Sequence, residues 1–152
     1  MKLAEALLTR ADLQKKIAQL KTRMIQNVKV MDGEEPAESV AELLAEFCEA
    51  NFALATLIIR IVKTNAHTPF DEGTIIDTIV WRDFIGTKIK VYRELYEAAI
   101  SKSERFHLQE IKYIRCVDTA KLQKDINELS QIYRAIDTSL QKVNWNTDLF
   151  IN

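Results

Sequence analysis

Chain breakers are scarce in this 152-residue sequence, which has three glycines and two prolines. An all-β fold needs many turns, so this scarcity argues against one. Disordered chains carry more breakers and fewer apolar residues than the 47% found here. The two cysteines, Cys48 and Cys116, form no motif with each other or with a histidine, and two thiols make no disulfide framework in a chain this size. His67 and His107 lack any HxxxH, HExxH or Cys-His spacing, the local pairing that a zinc site shows. There is no glycine-rich phosphate loop, no GxSxG elbow and no other cofactor motif. His67 beside Asp71 and Glu72 has the makings of a carboxylate-steered base, but no nucleophile accompanies it. The longest apolar run, residues 52–59, includes Thr56 and stops at Arg60, short of the roughly 20 residues that a membrane span needs. Met1 leads directly into a heptad pattern with no charged-then-apolar leader. Together these features predict a soluble, cytoplasmic protein without a transmembrane segment, folded as one domain over residues 1–152.

What the sequence does have is charge sorted by segment. The net charge is −1, which gives no general attraction to nucleic acid or anionic lipid. Residues 2–29 nevertheless hold seven basic and two acidic side chains, and residues 30–63 hold two basic and seven acidic ones. Both segments repeat apolar residues at heptad spacing. The first seam is Leu3, Leu7, Arg10, Leu13, Ile17, Leu20, Met24 and Val28. The second is Val40, Leu44, Phe47, Asn51, Leu54, Ile58 and Ile61, on a helix expected to start near Pro36. Basic and acidic helices joined through Gly33 and Pro36 read as an antiparallel, coiled-coil-like hairpin that neutralises itself. A turn centred near 32–33 places Arg10 about one turn from Asn51, a candidate polar pair in the seam.

A second joint, residues 68–73, contains Pro69, Phe70, Asp71, Glu72 and Gly73. Thr74 with Asp77 three residues later forms a capping-box signature and opens a third helix from Ile75 to about Ser101. That helix has two apolar rows. One is Ile75, Ile79, Arg82, Gly86, Ile89, Arg93, Tyr96 and Ile100; the other is Ile76, Val80, Phe84, Val91 and Leu95. A helix this apolar is central to a core or buried in an oligomer. Asp118 is an N-cap for a fourth helix, with seam Leu122, Ile126, Leu129, Tyr133, Ile136, Leu140 and Val143. The apolar tail, with Trp145, Leu149, Phe150 and Ile151, is expected to dock. The predicted fold is mainly α, an antiparallel bundle of four long helices, with a short strand or hairpin near 105–117 as an optional addition.

Candidate site residues are few. Gly86 sits inside a helix, where it costs about 1 kcal/mol relative to Ala, so close approach of another backbone is expected there. Arg82 has two readings: an ion-paired interface residue, or the centre of an anion pocket with Asn65 and Thr68 from the joint. An enzyme would need Asn65, Arg82, Asp83 and Trp145 to converge. The full polar or anion-binding set is Arg10, Asn51, Asn65, Thr68, Arg82, Asp83 and Trp145, with no catalytic or metal-ligating residue assigned. Nucleic acid is disfavoured as a partner. Arg10, Lys15, Lys16, Lys21, Arg23 and Lys29 face an acidic neighbour helix and have no interleaved aromatics for base stacking.

The chain also contains Met1-Lys2-Leu3-Ala4-Glu5-Ala6-Leu7, Arg10-Ala11-Asp12-Leu13-Gln14 and Gly33-Glu34-Glu35-Pro36-Ala37-Glu38. Further on come Thr64-Asn65, Arg82-Asp83, Glu110-Ile111-Lys112 and Asn144-Trp145. In that order these segments resemble a family of small uncharacterised bacterial proteins, some of which carry the name septicolysin. The resemblance implies a helical bundle and no established reaction, cofactor or partner. The lysin name implies membrane activity, for which the sequence offers no strongly cationic amphipathic helix. The residues themselves point to a homo-oligomeric binding or scaffolding protein.

Overall fold

The structure, a computed structural model, describes residues 1–101 and 113–151. Its elements are α1 (Leu3–Asn27), α2 (Val40–His67), β1 (Pro69–Phe70), β2 (Gly73–Thr74), α3 (Ile75–Ile100) and α4 (Thr119–Asn146). The fold is mainly α, the class that the sequence predicts: the described residues form four long helices and one short two-stranded hairpin. Met1–Pro69 with Gln141–Asn152 form one compact unit, and Phe70–Leu140 form another.

In the first unit α1 and α2 are antiparallel, and their opposite charges meet. Lys16 Nζ lies 2.8 Å from Glu46 Oε1, and Arg23 donates to both carboxylate oxygens of Glu38. Between these pairs Leu20, Leu43 and Ala50 are buried, with Leu13, Ile17, Met24 and Phe47 packed against them. The ion pairs place α2 roughly one helical turn away from the alignment that a turn centred on 32–33 implies. The α2 seam also differs from the expected row. Leu43, Ala50, Leu57, Ile61 and Thr64 are buried, whereas Leu44 and Asn51 are exposed. Asn51 is therefore not a seam residue, and the polar pair expected between Arg10 and Asn51 does not form. Val40, Phe47, Leu54 and Ile61 of the expected row are buried or half-buried, while Leu43, Ala50 and Leu57 take the places of Leu44, Asn51 and Ile58, because α2 is apolar on both sides. The row actually buried leaves Glu38 and Glu46 within reach of Arg23 and Lys16.

The start of α2 is set by Ser39 rather than Pro36. The Ser39 hydroxyl accepts the Glu42 N–H at 3.4 Å, an acceptor that proline lacks. Ahead of it the Glu38 N–H donates to Asn27 Oδ1 at 3.1 Å, and Asn27 Nδ2 donates to the Arg23 carbonyl at 2.9 Å, tying the turn to the end of α1. Gly33, at φ +83°, takes the left-handed residue of this turn.

The tail docks, but through Leu149 and backbone hydrogen bonds: Trp145, Phe150 and Ile151 of the expected apolar set are exposed. The Leu3 N–H donates to the Thr147 carbonyl and the Leu149 N–H to the Met1 carbonyl, both at 2.9 Å, and Lys2 Nζ lies 2.8 Å from Asp148 Oδ1. Leu3 and Leu149 are buried. One buried hydroxyl completes the attachment: Thr64 Oγ1 donates to the Arg60 carbonyl at 2.8 Å and accepts the Phe150 N–H at 3.0 Å. Arg60 Nε donates to the Phe150 carbonyl at 2.7 Å, and the His67 ring sits 5.7 Å from that of Phe150. Thr64 is thus satisfied as both donor and acceptor.

In the second unit the Thr74 capping box forms as the sequence predicts. Asp77 Oδ2 accepts from Thr74 N at 2.9 Å and from Thr74 Oγ1 at 2.6 Å. The hydrogen bonds from Thr74 hold the Asp77 carboxyl below the usual carboxylate range. A Cβ on Gly73 would lie 2.8 Å from Asp77 Oδ2, so glycine there is what lets the carboxylate fold back. The two-stranded hairpin spans 69–74, with Asp71 at φ +56° in its turn. The short strand or hairpin expected near 105–117 falls mostly within residues 102–112, outside the described residues; 113–117 contain no strand. His107 also lies outside the described residues. α4 starts at its predicted cap, where Asp118 Oδ1 accepts the Lys121 N–H at 3.0 Å. Every predicted seam position of α4 from Leu122 to Val143 is buried or half-buried.

Replacing Thr64 with Val leaves the Phe150 N–H without its buried acceptor, at an expected cost of about 1–2 kcal/mol. Chemical denaturation should show that loss and amide exchange at Phe150 should quicken, while Thr64→Ser should retain most of the stability. Acid acts on the first unit through its carboxylates. The hydrogen bond from Arg23 lowers the Glu38 pKa, the one from Lys16 lowers that of Glu46, and the one from Lys2 lowers that of Asp148. Lowered carboxylate values contribute stability that is present above the unfolded pKa and lost as pH falls through the folded value. Stability should therefore be flat above about pH 5 and fall at lower pH, less steeply in a Glu38→Gln, Asp148→Asn variant.

Candidate functional site

α3 and α4 run antiparallel within the second unit, with Arg82 near one end of their contact and Arg93 near the other. Arg82 is half-buried and held by two carboxylates. Its Nε and Nη2 donate to Asp83 Oδ1 at 3.0 and 2.8 Å, and its Nη1 donates to Asp137 Oδ1 at 3.3 Å. Burial opposes the Arg82 charge, but Asp83, Tyr133 and Asp137 outweigh it and raise its pKa. Of the two sequence readings, the geometry realises the ion-paired one.

One turn further along α3, Gly86 lies against Tyr133 of α4. A Cβ at Gly86 would be 3.2 Å from Tyr133 Cε2, so the close approach expected at this glycine is that of an aromatic ring, not of a backbone. Beyond it opens a cleft of about 370 Å³ lined by Gly86, Ile89 and Arg93 from α3 and by Ser130, Tyr133 and Arg134 from α4. Ile89 is buried, whereas Arg93 and Arg134 are exposed at the cleft. Neither arginine makes an ion pair among the described residues. Ser130 Oγ is buried and has no hydrogen-bond partner among the described residues. Among the described residues no carboxylate lines the cleft. This arrangement can take up a small anion.

The other candidates belong to the first unit. Arg10 is half-buried, and its Nε has no hydrogen-bond partner among the described residues. Asn51 is exposed, Asn65 and Thr68 are half-buried, and Trp145 is 54% exposed. No hydrogen bond among the described residues joins any two of these five. The Thr68 N–H is used locally, donating to the Thr64 carbonyl as the α2 cap. The sequence reading missed Ser130 and Arg134. The signal was available, because they stand three residues before and one after the seam residue Tyr133 and so flank the same face of α4.

The Arg82 pairings make a test of the ion-paired interface. Asp137→Asn should destabilise the chain by about 1 kcal/mol and Asp83→Asn by less, because Asp83 is the more exposed carboxylate. Thermal denaturation in a double-mutant cycle with Arg82→Gln should show coupling between Arg82 and Asp137.

Comparison with known proteins agrees with the fold. A crystal structure described as that of a functionally unknown conserved protein from Corynebacterium diphtheriae is similar over 99% of this chain and 99% of that one, at 33% identity and a TM-score of 0.92. Among curated proteins there is no match. Neither that structure nor the matching family carries the septicolysin name. Among the described residues no helix is long and apolar enough to cross a membrane. Residues 10–149 match the family of unknown function DUF6847, and the chain belongs to that family.

Proposed function

We propose that this chain is a cytoplasmic, homo-oligomeric helical-bundle protein with a binding or scaffolding role, in which a second copy covers the outer row of α3. The observation that carries this reading is the row itself. Ile76, Val80, Trp81, Phe84, Val91 and Leu95 are all exposed, Val80 by 60% and Trp81 by 63%. Apolar residues scattered singly on a surface are ordinary, but a contiguous row marks a contact. Trp81 and Phe84 already meet edge to face at 5.6 Å between ring centroids, an aromatic pair of the kind that anchors interfaces.

The row is close to palindromic, which favours a second copy as its occupant. In an antiparallel pair of α3 helices Ile76 falls opposite Leu95, Val80 opposite Val91 and Phe84 opposite Thr87. Asp83 and Lys90 lie along the same edge of the row. Across the pair they come within about 3 Å of each other along the axis, at 1.5 Å per residue, and do so twice by symmetry. α2 has its own exposed apolar residues, Phe52, Ile59 and Val62, which suit assemblies larger than a dimer.

Light scattering at low micromolar concentration should give at least twice the 17.5 kDa chain mass. A Val80→Glu, Val91→Glu variant should return the single-chain mass with its helical circular dichroism intact. A stable wild-type monomer would overturn the reading.

A further inference from the structure

We propose that the cleft between α3 and α4 binds a small organic phosphate monoester; this rests on the binding role proposed above and names its ligand class. Arg93 and Arg134 reach the cleft from different helices, and neither is neutralised among the described residues. A guanidinium presents a planar fork of N–H donors that matches phosphate oxygens, and two such forks suit a dianion better than a single negative charge. Ser130 also lines the cleft, with its hydroxyl buried and without a partner among the described residues. Among the described residues no lining carboxylate repels an anion.

The pairing of Arg82 separates it from this role. Asp83 and Asp137 already occupy its guanidinium, so the anion centre falls at Arg93 and Arg134, further along the same helix pair. The volume and walls set the rest of the ligand. About 370 Å³ exceeds what a bare phosphate fills and lies at the small end of ligand pockets. Ile89 and the ring of Tyr133 provide an apolar wall for an organic body, and Gly86 allows that ring to lie against α3. Phosphate at the arginines and the organic group over Ile89 and Tyr133 is the orientation these walls select.

Phenyl phosphate is the probe, titrated calorimetrically into the intact chain in low-salt, phosphate-free buffer. Saturable binding is expected, with inorganic phosphate at least about tenfold weaker and phenol not binding. Arg93→Gln and Arg134→Gln should each weaken phenyl phosphate by about tenfold or more. Both guanidiniums are exposed, so the melting temperatures of these variants should stay near that of the wild type. Arg93 stands nine residues from Phe84, on the opposite face of α3 at 100° per residue, so the Val80→Glu, Val91→Glu variant should keep the wild-type affinity. Loss of the oligomer and loss of the ligand are thereby read separately. The proposal is overturned by absence of saturation up to about 10 mM phenyl phosphate, by wild-type affinity in both arginine variants, or by inorganic phosphate binding as tightly as the ester.

Discussion

α3 carries two apolar rows, and α4 covers one of them. Ile89, on the row that meets α4, is buried, while the other row leaves Ile76, Val80, Trp81, Phe84, Val91 and Leu95 in contact with water. Burying the half-exposed remainder of such a side chain gains roughly 1 kcal/mol, so twelve of them across a pair of chains yield on the order of 10 kcal/mol. Association itself opposes binding by about 4–15 kcal/mol. The row by itself is therefore close to the threshold for a stable dimer. In the proposed pair, the approach of Asp83 to Lys90 across the two α3 helices would then tip the balance.

The first unit answers a different constraint, satisfaction of its polar groups. Its ion pairs, Lys16 with Glu46 and Arg23 with Glu38, sit on exposed side chains and contribute modestly to stability, but they select one alignment of α1 against α2. Thr64 does the corresponding work inside. A buried hydroxyl that donates to one carbonyl and accepts from Phe150 converts an apolar tail into an attached segment.

Legibility followed the number of apolar rows on each helix. α4 has one, flanked by polar residues, so its seam could be read residue by residue. α2 has two, and heptad spacing alone could not choose between Leu44 with Asn51 and Leu43 with Ala50. The caps with a side-chain acceptor, Thr74 and Asp118, were readable because their hydrogen bonds are local. Ser39 was passed over in favour of Pro36, which fits a first helical turn but accepts no hydrogen bond. At the candidate site Arg82, Gly86 and Arg93 were legible as polar or small interruptions of an apolar ridge. Which arginine keeps its charge available depends on Asp137, 55 residues away, and no local pattern reports that.

The most direct test of the central claim is a crosslink across the α3 pair. With Cys48 and Cys116 changed to Ser, a Val80→Cys, Val91→Cys variant is oxidised and run on a non-reducing gel. If a second copy covers the outer row in antiparallel register, the chain should appear as a covalent dimer that reductant returns to monomer; monomer alone after complete oxidation would contradict it.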